Sequence, residues 1–299
     1  MSLLRVATAA LAAISAISLW AFGSASFAAP AMWRVSGGDS EVYLFGTLHA
    51  LSPSAAWRTP AYDAAYRKAD VVWFEADLTH ADTLAVTNIL SQYGVDPDRA
   101  LSQKLKPADL AVLKGQADIA RIDHLRPWAA AMMLSMQPVL AAGAAVESGA
   151  DMTVGREAAA GGKQVRAFET LEDQAKMFAG LSEPAEVAYL TGVIHERAQS
   201  HGRLKITLDP RADSLERQWL DGDLDQLGPG LVRDMDRQNP TLYEALLKTR
   251  NLAWADALSR EMAAHPGVEL VNVGALHMLG DDGLPALMKA RGFKVERVQ

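Results

Sequence analysis

The sequence has no cysteine among its 299 residues. That excludes a disulfide framework, a thiolate metal site and a thiol nucleophile at once. Any metal would have to be held by His, Asp or Glu, a donor set that suits Zn, Mn, Co or Fe better than a soft, sulfur-seeking ion. Positive charge is also scarce: 29 Lys and Arg stand against 36 Asp and Glu, a net charge of −7, and the basic residues form no cluster. An acidic chain without a basic patch lacks the electrostatic footprint of a nucleic-acid binder.

Long apolar runs are few. One lies at the front, where Arg5 is followed by the apolar stretch 6–22 and then by Ser26-Phe27-Ala28. A basic start, an apolar middle and a small-x-small end make a secretory leader, and the run is short for a membrane span. The expectation is that residues 1–28 are removed and that a periplasmic or secreted protein remains, with no membrane span after cleavage. The second run, WAAAMMLSMQPVLAAGAAV from Trp128 to Val146, carries Gln137 and Pro138 near its middle. It predicts a buried helix, kinked or broken before Pro138.

What is present is a composition for a large core, 49% hydrophobic and 22% charged. Strand patterns fall at Trp33–Val35 and Val42–Phe45 around a Gly-rich turn, at Asp70–Glu75, at Lys163–Phe168, at Gly267–Val273 and at Phe293–Val298. Between residues about 80 and 264 the periodicity is mostly helical, with one long helix expected over Thr241–Ala264. Thr170 followed by Asp173 reads as a helix start. The fold expected is α/β: a central mixed sheet built from both chain ends, flanked by helices, with a large helical insertion, all in one domain over 29–299.

Two short stretches carry the chemistry. EVYLFGTLH, Glu41 to His49, and ELVNVGALH, Glu269 to His277, each run from an apolar strand through Gly-x-x to His. In an open α/β sheet, ligands gather where strands end. Gly46 and Gly274 have no Cβ, so backbone or ligand can approach closely there. Glu75 ends a third apolar strand, where an unpaired acid in the core would be costly. Two imidazoles and a carboxylate from three strand ends could hold a divalent metal with open positions. In the plainer alternative the histidines are loop residues and Glu75 caps the helix that follows.

LFGTLHAL, ADVVWFEADL and the terminal VNVGALHMLGDDGLPALMKARGFKVERV resemble the TraB/GumN family, which includes the TIKI metalloproteases. VRAFETLEDQAKMF around Glu169 and LLKTRNLAWADAL around Arg250 and Asn251 extend the likeness. The resemblance implies an α/β fold and a hydrolase-like site, metal-dependent in the TIKI branch and related more distantly to erythromycin-esterase-like proteins. Its signature falls on Gly46, His49, Glu75, Gly274 and His277, with Glu169, Arg250 and Asn251 as further catalytic candidates. Asp151 matches a Gly-x-Asp preceding a helix. The segment 201–210, HGRLKITLDP, departs from the pattern as an extra excursion.

The mechanism implied is hydrolysis by activated water, with His49, Glu75 and His277 holding Mn, Co or Zn. Glu169 would be a fourth ligand or the base, and Arg250 a clamp on a substrate carboxylate or oxyanion, or else an ordinary surface ion pair. Asn251, a poor helix former, is expected to make a specific hydrogen bond. The substrate expected is a peptide or other small exported molecule. Two other readings remain: a metal-free esterase-like hydrolase, and a non-catalytic binding or accessory protein on the same fold.

Overall fold

Chain reversal at Gly38-Asp39, with Gly38 at φ +59°, folds strand β1 (Met32–Gly37) back on β2 (Ser40–Thr47) in register Gly37↔Ser40. A two-residue turn of this hand needs positive φ, which glycine adopts without steric cost. The computed structural model describes residues 29–77, 83–199, 215–223 and 232–299. It adds β3 (Val71–Ala76), β4 (Gln164–Glu169), β5 (Val268–Gly274) and β6 (Lys294–Arg297). The six strands form one mixed sheet in the order β4-β3-β5-β2-β1-β6. It is an α/β fold, with helices on both faces.

Strand β5 runs parallel to both of its neighbours, β2 and β3, and β4 runs parallel to β3. Four strands therefore end at one edge of the sheet. Because side chains alternate across a strand, β2, β3 and β5 divide between two cores. Phe45, Val72, Phe74 and Leu270 face one, with Tyr62 of the helix Pro60–Lys68. Leu44, Trp73, Val271 and Val273 face the other, with Trp254 of the helix Thr249–Ala264. Each such buried side chain contributes roughly 1.5–3 kcal/mol, so the sheet is held from both faces.

Two expectations need correction. Pro138 does not break its helix, which runs unbroken over Pro127–Ala141. Proline removes the N–H that would have served the carbonyl of Leu134, four residues back. The guanidinium of Arg197 supplies that bond instead. Nor is Thr241–Ala264 one regular helix: a short turn Pro240–Tyr243 leads into a wide π-helical segment, Glu244–Lys248, and only then into Thr249–Ala264. Such wide turns concentrate at functional sites. Among the described residues no helix is long and apolar enough to cross a membrane. The leader and the 201–210 excursion lie outside the described residues.

Candidate active site

The parallel strands β2, β3, β4 and β5 bring their carboxyl ends together, and with them His49, Glu75, Glu169 and Gly274. His49 follows β2 by two residues. Its loop is pinned where the amide of Ala150 donates to the carbonyl of Leu48. Gly149 makes this possible, since a Cβ there would stand 2.4 Å from the carbonyl oxygen of His49. The helix Ala150–Ala160 thus starts directly against the loop, and Asp151 in its first turn places Oδ2 3.0 Å from His49 Nδ1. Asp151, given no role from the sequence, is the partner of the first histidine.

From the opposite core comes a second group. Glu75 Oε1 accepts the amide N–H of Gly274 at 2.6 Å, and its Oε2 accepts from Arg250 Nη2 at 2.8 Å. Arg250 also donates through Nε and Nη2 to both oxygens of Glu169, at 2.9 to 3.1 Å. Its Nη1 reaches the carbonyl of Leu246 in the π-helical turn and His277 Nε2, at 2.9 and 3.1 Å. Arg250 is buried, so the alternative of a surface ion pair is overturned. Its guanidinium and the His277 ring both lie against Trp254, at 4.6 and 4.5 Å from the indole centroid.

His277 is held in one tautomer. Asn251 Nδ2 donates to the carbonyl of Asp282 at 2.7 Å, which turns Asn251 Oδ1 toward His277 Nδ1 at 2.5 Å. Nδ1 then carries the proton and Nε2 is left to accept from Arg250. Burial pushes the imidazole down to about 3, with Glu75 opposing and Arg250 reinforcing, so His277 is neutral at physiological pH. Burial acts to raise Glu75, but the two imidazoles, Arg250 and the Gly274 N–H outweigh it and hold the carboxyl at about 2.

His49 differs from its twin. Partial desolvation lowers its proton affinity, but 57% of its side chain stays open to solvent. The hydrogen bond and charge of Asp151, then the charge of Glu75, prevail and hold the imidazole up at about 9. His49 Nε2 lies 4.0 Å from Glu75 Oε1, and His277 Nε2 lies 3.6 Å from the same atom. His49 and Glu75 line a cavity of about 180 Å³ between the strand ends and the helix Ala150–Ala160, with Phe74, Ala76 and Met152 among its apolar walls.

Gly274 is the window between the two groups. A Cβ there would stand 3.0 Å from Glu75 Oε1 and 3.3 Å from His49 Nε2. Its backbone, at φ −50° and ψ 140°, is open to any residue, so a Cβ there would meet only these two side-chain ends and the edge of the His277 ring. Gly274→Ala is expected to displace both side chains and lower turnover by up to about 100-fold. The stability cost should be no more than about 1–3 kcal/mol. Steady-state kinetics with chemical denaturation check this, and an alanine variant as active as the wild type would reject it. Gly46 serves the chain itself: its missing Cβ would meet Ala275 Cα at 2.9 Å.

The expected metal ligands do not fit an ion as they are arranged. His277 Nε2 is engaged by Arg250, which also holds Glu75 Oε2, and Glu75 Oε1, the oxygen nearest both imidazoles, accepts from the Gly274 amide. Among the described residues no group of three or more His, Asp or Glu side chains is placed to hold one.

Two curated proteins are similar along most of their length: the uncharacterized protein YbaP of Escherichia coli (strain K12) and its namesake in Shigella flexneri. Each is 25% identical over 268 residues, covering 87% of this chain and 92% of the relative. No solved structure matches the chain significantly. The TraB/PrgY/gumN family matches it over residues 31–297, which takes in the hairpin, all six strands and both Gly-x-x-His segments. The chain belongs to the TraB/PrgY/gumN family.

Proposed function

We propose that this chain is a hydrolase of small acyl compounds, esters or amides, in which His49 with Asp151 activates water without a metal. The observation that carries the reading is the His49–Asp151 pair, with His49 Nε2 at the cavity beside the ionised Glu75. In its neutral form His49 takes a proton from water on Nε2 as the water oxygen bonds to the acyl carbon. The same proton passes to the leaving group as the bond from carbon to that group breaks. Asp151 keeps the Nδ1 proton in place throughout. Glu75 faces the imidazolium that forms, while Arg250 and the Gly274 N–H fix its carboxylate.

The pH dependence follows from the raised imidazole. Protonated His49 cannot act as base, so activity should fall as pH drops through about 9 and level off above it. Asp151→Asn removes the charge that favours the imidazolium, so the limb should move to lower pH while the plateau falls. Hydrolysis of p-nitrophenyl acetate by purified tag-free protein, followed across pH and with metal analysis, tests both parts. Activity that chelation leaves unchanged is the expected result. Activity lost to a chelator and restored by Mn, Co or Zn would replace this reading with a metal-dependent peptidase in which Arg250 withdraws.

We also infer export, from the leader pattern over residues 1–28. Intact mass of the protein from a bacterial envelope extract should correspond to a chain starting at Ala29. An intact leader in the membrane fraction would reject this.

A further inference from the structure

Three buried side-chain atoms without a hydrogen-bond partner among the described residues, Thr47 Oγ1, Asp151 Oδ1 and Asn272 Nδ2, belong to residues lining one and the same cavity. Thr47 and Asn272 are each 1% exposed and Asp151 is 7%. An unpaired buried polar atom costs about 1–3 kcal/mol, and native chains rarely leave one without a partner. Three around one hollow mark a place built for a polar group from outside the chain.

One of the two donors is held in place. Asn272 interrupts an apolar strand between Val271 and Val273, where a hydrophobic residue would be the cheaper choice. Tyr62 O–H donates to Asn272 Oδ1 at 2.8 Å, which fixes the amide and leaves Nδ2 as its free donor. Burial holds the Tyr62 phenol far above its ordinary range, so it stays a donor at every working pH. Thr47 pairs with Gly274, two residues beyond Asn272 on the same strand and face. Both residues line the cavity that His49 and Glu75 also line.

We propose that Asn272 Nδ2 and Thr47 Oγ1 bind the acyl oxygen of the substrate and stabilise the negative charge that grows on it when water adds. The proposal rests on the hydrolytic reading above for its chemistry, though not for its binding site. The ligand class is a neutral carbonyl. A phosphate or carboxylate group would face the carboxylates of Glu75 and Asp151, whereas a carbonyl oxygen needs only donors. Asp151 Oδ1, the unpaired acceptor, suits an N–H or O–H on the same ligand. Preorganised donors of this kind act in the transition state more than in the ground state.

Two measurements separate this proposal from the reading it extends. The first needs no catalysis: titration of the 15N-labelled protein with acetamide, a bare neutral carbonyl, should shift the side-chain NH2 resonances of Asn272. The shift should weaken in Thr47→Val. Unmoved Asn272 resonances would overturn the proposal whether or not the protein hydrolyses anything.

The second uses Asn272→Leu and Thr47→Val with p-nitrophenyl acetate. Each should lower kcat by about 100-fold with KM and the pH midpoint little changed. The melting temperature should hold or rise in Thr47→Val, where an unpaired buried atom is gone, and fall in Asn272→Leu, which also takes the acceptor from Tyr62 O–H. Full retention of kcat would mean that the hollow holds only ordered water. A lower melting temperature of Thr47→Val that accounts for its lost activity would mean that the side chain is merely structural. Either outcome overturns the proposal. A wild type inert to the ester but showing the acetamide shift would instead reject the hydrolytic reading and keep the carbonyl site.

Discussion

His49→Ala should lower kcat/KM for an acyl ester by roughly 10²–10⁴-fold, the span a positioned acid–base group supplies, with a modest fall in melting temperature. More than half of the His49 side chain meets solvent, so its removal opens no cavity in the core. Its main partner, Asp151, is buried and loses the hydrogen bond to Oδ2, a cost that the helix dipole offsets only in part. His277→Ala should behave differently. That ring is 4% exposed, lies against Trp254 and accepts from Arg250, so deletion leaves a void and strips one partner each from Asn251 and Arg250. Activity and stability should fall together there, by about 2–5 kcal/mol if the site resembles other large-to-small core changes. Circular-dichroism melts beside ester kinetics separate the two histidines. A His49 variant that melts early while the His277 variant does not would reverse the assignment.

Arg250→Met should destabilise the fold by about 3–5 kcal/mol at neutral pH, because it leaves two carboxylates without their shared cation. The side chains of Glu75 and Glu169 are only 11% and 17% exposed, and the Arg250 side chain that serves both is 9% exposed. The sign of the pH effect follows. In the wild type the lowered Glu75 contributes stability that is present above about 4.5 and lost as pH falls through about 2. Without Arg250 the burial that raises Glu75 loses one of its opponents, so the variant protonates at higher pH. Its deficit should therefore be largest at neutral pH and shrink in acid. Urea denaturation at neutral and mildly acidic pH would show it, and a deficit constant across that range would mean that the guanidinium holds the site by packing alone. Arg250→Lys keeps the charge but not the fork that spans two acids and a ring, so it should fall between the two.

Convergence at the site was legible because each participant ends an apolar run. His49 follows a strand, Glu75 and Gly274 lie in the last two residues of theirs, and parallel strands deliver their ends to one edge. Which face each side chain would occupy was not legible, since one residue of register exchanges the two faces of a strand. Glu75 therefore joins Arg250 and His277 on one face, while His49 reaches Asp151 on the other. Nor could spacing reveal that Arg250 stands between acids 81 and 175 residues away, against two of the residues expected to hold a metal. The continuous helix through Pro138 was hidden for the same reason, its replacement hydrogen bond coming from 63 residues along the chain. Asn272 and Thr47 did leave a local trace, as polar residues inside apolar strand ends. That trace acquires meaning only once both are seen to border one cavity.

Strand β5 also sets the order in which the molecule can come into being. It lies between β3 and β2, pairing Val268 with Glu41 and Glu269 with Val71, so it joins the last part of the chain to the first. Until residue 274 has been made, β4-β3 and β2-β1 are two separate ribbons with unpaired inner edges. At a synthesis rate of about 5–20 residues per second, the early strands wait many seconds for the strand that closes the sheet. Pairings so distant in sequence are also slow to form. Until then the open inner edges of the two ribbons are what chaperones can cover and what a protease can exploit. The sheet closes only once β5 has been made, just ahead of the second histidine.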